Sequence, residues 1–244
     1  MAAEVRANDV QPESHYRVDP SWRPLYKIGA VALLIAGVAY LIIPVTSAII
    51  HVGPENSMKY FHALTNHSGT AFFTYTVVAI ADFVLVPAAL ALYLALRGLA
   101  PGWMLLATVI LLTYVAMDIS TFVSVAFALV ALGHEPQSTA IVGAEHFGLA
   151  TVQLSQFIGW VYPAIAYLII AVVIRVRGLG RITALLGFLV FLTNIVGGIS
   201  FLHPVNSVEK YQDPGLFLLG LYSLALGTLL FKLDNQSSPT PART

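Results

Sequence analysis

Two aspartates stand inside long apolar runs: Asp82 within about 70–96, and Asp118 within about 103–132. A charge in hydrocarbon costs several kcal/mol, so acids placed this way face the interior of a helical bundle, where they pair, bind or relay. Each lies 18 residues from position 100, the centre of the basic turn between the two runs. Both are therefore expected at one depth, near the middle of the bilayer. If the carboxyls meet, like charges at close range disfavour double ionisation, and the pair holds a shared proton or a bound cation. Tyr114 and Thr121 flank Asp118 on one helix face, at i−4 and i+3, and Tyr75 lies seven residues before Asp82. Further polar groups are Gln153 and Gln156, an i,i+3 pair, and Thr193-Asn194 beside Gly197-Gly198, which permit close helix packing. The competing reading makes these residues hydrogen-bonded glue between helices, each bond contributing about 0.6–2 kcal/mol.

Histidine forms a second constellation. Of seven, His51, His62, His67, His134, His146 and His203 map to one side of the chain's apolar runs, together with Glu55, Glu135, Glu145, Glu209 and Asp213. Imidazole and carboxylate suit Zn, Cu, Fe or Ni. His51, His134 and His203 end three helices that run the same way. If those helices are neighbours, the three imidazoles, with His146 nearby, match the ligand count of a catalytic metal with an open position. Haem would need two facing histidines deeper in the bundle. No H-E-x-x-H spacing accompanies them, and His at a helix C-terminus is favourable on its own through the macrodipole and the last carbonyls.

Other chemistries find no support. The chain has no cysteine, which removes disulfides, thiolate metal sites and Cys nucleophiles. Zero formal charge gives no basic surface for nucleic acid. No phosphate-binding loop or nucleophile elbow occurs, and Gly178-Leu179-Gly180 follows an apolar helix rather than a strand, which makes it a turn and not half of a dinucleotide fingerprint.

What must position these residues is membrane-spanning helix. Of 244 residues, 58% are hydrophobic and 10% charged, against about 25% charged in an average soluble domain. Six runs reach spanning length: about 28–50, 70–96, 103–132, 148–174, 182–202 and 215–232. About 20 apolar residues cross the roughly 30 Å of hydrocarbon, and backbone in lipid must pair internally, so each run is expected to be a helix. The expected fold is an all-α polytopic bundle of six transmembrane helices, built as three helical hairpins. Residues 1–27 form a polar tail without the apolar core of a signal peptide, 28–232 the transmembrane domain, and 233–244 a second tail. Trp22 and Trp103 suit interface anchors, whereas Trp160 sits deeper.

The connections are of two kinds. Those at 97–102 and 175–181 are short and basic, and the other three are longer and nearly free of Lys and Arg. The tails and short turns hold ten of the twelve Lys and Arg, leaving Lys59 and Lys210 in the longer loops. The positive-inside rule then puts both termini and the short turns in the cytoplasm. A faint echo joins the odd helices, which end in His51-Val-Gly-Pro-Glu-Asn-Ser, His134-Glu-Pro-Gln-Ser and His203-Pro-Val-Asn-Ser.

Trp22-Arg-Pro-Leu-Tyr-Lys-Ile-Gly-Ala at the start of the first run and Ala91-Leu-Tyr-Leu-Ala-Leu-Arg97 at the end of the second resemble a large group of bacterial and archaeal six-helix membrane proteins that share a domain of unknown function. The resemblance implies a prokaryotic inner or plasma membrane, and it transfers no catalytic motif. Three functions are open at this level: a small-solute or proton/ion-linked transporter using the mid-membrane acids, a metal- or haem-dependent enzyme using the outer-face histidines, and an accessory or anchoring subunit. The expected partners are the lipid bilayer and either further copies of the chain or a larger membrane complex, with no nucleic acid.

Overall fold

A computed structural model of the protein describes residues 19–50, 68–132, 159–202 and 209–236. A 3-10 turn over Pro20–Trp22 opens it, capped by Asp19, whose carboxylate accepts from the Ser21 backbone N–H at 2.9 Å and the Ser21 hydroxyl at 2.8 Å. These two donors hold the exposed Asp19 carboxyl below its usual range. Six helices follow: α1 Arg23–Ile50, α2 Ser68–Leu96, α3 Pro101–Leu132, α4 Gly159–Val176, α5 Arg181–Leu202 and α6 Glu209–Gln236. The described residues contain no strand, and all six helices are long and apolar enough to cross a membrane. The α6 helix runs four residues past the apolar stretch read from the sequence, to Gln236.

Two tight turns set the hairpins α2–α3 and α4–α5. Pro101 begins α3, where a missing N–H costs nothing. At the end of α4, Gly178 takes a left-handed φ of 69°. Its N–H donates to the Arg175 carbonyl at 3.3 Å, and that of Leu179 to the Ile174 carbonyl at 3.1 Å, the paired closure that a glycine permits. Arg177 donates from Nη2 to the Leu99 carbonyl at 2.8 Å, which ties the two turns together. At the same end Arg23 reaches Asp234, with Nε 3.5 Å from Oδ1. The start of α1, the end of α6 and both tight turns therefore share one end of the bundle.

The helices pack in a ring that follows chain order. α1 lies against α2 and α6, α2 against α3, and α5 against α6. α4 completes the circuit: Val161 and Ala171 meet Gly198 and Gly187 of α5, and Gly159 meets Asp118 of α3. Small residues bring the backbones close, as expected where lipid gives helices no hydrophobic reason to associate. Gly37 and Gly220 are pressed together so that a Cβ on either would stand 2.9 Å from the other's carbonyl oxygen. Gly29 fits against Ala91, and Ala30, Ala36, Ala81, Ala91 and Ala95 are sealed in the α1–α2–α6 core. Outward faces are apolar instead of polar. Ile28, Val31, Ile35, Val38 and Val45 (64% exposed) form one stripe at helical spacing, and Ile182 (75% exposed), Leu185, Leu189, Leu192, Val196 and Ile199 form another. Such faces belong in lipid.

Candidate proton or ion site in the bundle core

The α2–α3 turn brings Asp82 and Asp118 to one level, each at least fourteen residues from its helix ends, or about 20 Å along the axis. Asp82 is fully buried, at 0% exposure, and Asp118 is partly buried. The two carboxyls lie within hydrogen-bonding reach of each other. Tyr114, one turn before Asp118 on α3, serves both: its hydroxyl is 2.9 Å from Asp118 Oδ2 and 3.3 Å from Asp82 Oδ1. Tyr40 of α1 donates to the same Asp82 Oδ1 at 3.2 Å. The other oxygen of Asp82, Oδ2, is buried with no hydrogen-bond partner among the described residues.

Further tyrosines continue the polar core through α4 and α6. The Tyr167 hydroxyl is buried, lacks a partner among the described residues, and lies within electrostatic reach of both aspartates. Tyr222 donates to the Tyr167 backbone carbonyl at 3.4 Å, and the two rings meet edge to face at 5.9 Å and 88°. That edge-on geometry suits the ring quadrupoles. Gly187 makes room for the Tyr222 hydroxyl, which would stand 2.9 Å from an added Cβ. The site thus draws on α1, α2, α3, α4 and α6.

Comparison with protein-family models, curated proteins and solved structures gives no match. Reading the site therefore rests on its chemistry. Two carboxyls that touch, in a water-poor interior, can share a proton or take a cation, and the tyrosine hydroxyls supply donors that rotate to suit either state.

Of the residues expected from sequence, Asp82, Asp118 and Tyr114 come together. Asn194 is buried on α5, and no hydrogen bond among the described residues joins it to the acids. Thr121 lies on α3 and its side chain is outside the described residues, as are Tyr75's side chain and residues Gln153 and Gln156. His51, His134, His146 and His203, the suggested metal ligands, also lie outside the described residues. Within the described part, no three His, Asp or Glu side chains gather as a metal group. Trp160 is buried against Gly197 and Gly215 and is no interface anchor.

Sequence reasoning passed over Tyr40, Tyr167 and Tyr222. Their signal is position: each interrupts an apolar run well away from the helix ends, where a tyrosine cannot reach the interface and its hydroxyl must find a partner inside.

Proposed function

We propose that the protein is a multi-pass protein of a prokaryotic cell membrane that moves protons, or a small solute coupled to protons or another ion, through the bundle by means of Asp82 and Asp118. In this reading both ends of the chain and the two basic turns face the cytoplasm. One observation carries it: Asp82 is sealed in the core, shares the Tyr114 hydroxyl with a second acid, and still has an oxygen without a donor among the described residues. Structural glue gains its stability by filling hydrogen-bond positions, and a buried polar atom left unfilled costs about 1–3 kcal/mol. Unfilled buried groups in a native structure point to a role, and intramembrane acids commonly mark ion and proton paths.

The test is flux in proteoliposomes. Asp82→Asn and Asp118→Asn keep size and remove the ionisable group. Each is expected to slow proton- or ion-driven flux by about 100-fold, the low end of what a positioned proton-transferring group contributes, with the protein still folded and monodisperse in detergent. Wild-type flux in both variants would remove the reading.

A further inference from the structure

With both acids ionised, hydrogens and oxygens in the site do not balance. Four carboxylate oxygens can only accept. Tyr40 serves Asp82 Oδ1. Tyr114 has a single hydrogen, and of its two neighbours Asp118 Oδ2 is the nearer, at 2.9 Å against 3.3 Å. Asp82 Oδ2 remains buried with no donor among the described residues. The carboxyls are within hydrogen-bonding reach of each other, so one hydrogen carried by either turns two facing acceptors into an O–H···O bond. The buried Tyr167 hydroxyl, also without a partner among the described residues, lies within electrostatic reach of the same pair.

Exposure is unequal across the pair. Asp82 is sealed, while Asp118 keeps some surface. On the Oδ1 side of Asp118 lies Gly159, the first described residue of α4, where an added Cβ would stand 3.5 Å from that oxygen. That is ordinary contact distance, so a longer side chain at 159 would reach the Asp118 carboxyl.

We propose that Asp82 and Asp118 hold one proton between them, and that this proton exchanges with water at Asp118, past the bare Cα of Gly159. The inference rests on the site assigned above and names its cargo as H⁺. On release, the O–H bond at Asp118 breaks, its electron pair stays on the carboxylate, and a water oxygen takes the proton; uptake is the reverse. Transfer within the pair moves the hydrogen from one carboxyl oxygen to the other with no change in net charge. Asp82 is the store and Asp118 the door.

Infrared spectroscopy of the full chain in proteoliposomes at neutral pH reads the proton directly, without any transport assay. The wild type is expected to show the carbonyl stretch of a protonated carboxyl, lost in the Asp82→Asn/Asp118→Asn double variant and unmoved when choline replaces Na⁺ or K⁺. In D2O this band should shift faster than the helix amides exchange. Gly159→Leu should slow that shift by about tenfold, as covering a group that exchanges through a local opening does. Gly159→Ala should slow it less, in the same direction, and Gly102→Leu, at a site with no described neighbour within 4 Å, should leave it alone. Absence of the band, or its loss on adding Na⁺ or K⁺, overturns the shared proton. A band that exchanges no faster than the amides, or at one rate in wild type and both Gly159 variants, overturns the door at Asp118. Flux without the band would keep the transport reading and end this one; the band without flux would do the reverse.

Discussion

Tyr114 is the only side chain hydrogen-bonded to both acids among the described residues. Its phenol reaches Asp118 because the two are one helical turn apart, and reaches Asp82 because α2 and α3 are a hairpin. Removing the hydroxyl alone strips a bond to an acid worth about 1.5–3 kcal/mol. Tyr114→Phe is therefore expected to lower thermal stability by that amount and to slow flux by about tenfold, since the pair loses the donor that orients it. Tyr167→Phe should behave differently. Its hydroxyl is buried without a partner among the described residues, so its loss relieves an unfilled group and stability should hold or rise, while flux falls if that hydroxyl serves the acids. Thermal unfolding and flux measured on the same preparations separate the two tyrosines, and equal stability losses in both would show that the Tyr167 hydroxyl is hydrogen-bonded as Tyr114's is. Asp82, Asp118 and Tyr114 were legible because a carboxylate in an apolar run has few explanations and its helical neighbours follow from spacing. Tyr40 and Tyr167 sit too deep for interface anchors, but which buried hydroxyls face the acids depends on how different helices pack and is not legible in any one run.

One scale up, α1 and α6 form an antiparallel seam with a regular step. Arg23 meets Asp234, Ala30 meets Gly227, and Gly37 meets Gly220, so each helix advances seven residues, two turns, between contacts. The polar clasp closes one end, and the small residues bring the backbones together further in. Asp234 is 4% exposed and takes Arg23 as its cation, which explains why α6 continues beyond its apolar stretch. None of this follows from either helix read alone: the charge pair links positions 211 apart in the chain, and a glycine every seven residues carries no meaning until its partner helix is known. By contrast, the glycines of α5 were readable as close-packing positions, and Gly197-Gly198 does receive Trp160 and Val161 of α4. Enlarging the seam should be costly. Gly220→Leu would drive a side chain into Leu41 and the Gly37 carbonyl, 2.8 and 2.9 Å from its Cβ position. It should lose about 1–3 kcal/mol, as overpacking does, and flux should fall as well, since Gly37 lies three residues from Tyr40. Gly69→Leu, with no described neighbour within 4 Å, is the control. Equal melting temperatures for the two variants would mean that α1 and α6 are not in this register.

At the scale of the bundle, six described helices of spanning length and the Arg23–Asp234 clasp put the start of α1 and the end of α6 on the side of the two tight turns. Geometry fixes that arrangement but says nothing of which way it faces. The proposed direction rests on the charge count: ten Lys and Arg accompany the turns and tails and two the opposite loops, the bias that the positive-inside rule associates with the cytoplasm. Because the chain has no cysteine, a single introduced thiol reports its own side. Gly98→Cys in the α2–α3 turn and Ser21→Cys before α1 both fall at exposed positions. Neither is expected to react with a membrane-impermeant maleimide added to intact cells, and both should react once the cells are permeabilised. Labelling of both from outside would invert the bundle and keep the fold. Labelling of one and not the other would break the ring itself, because Arg177 on Leu99, Arg23 on Asp234 and the packing of α1 on α2 require these two positions to share a face.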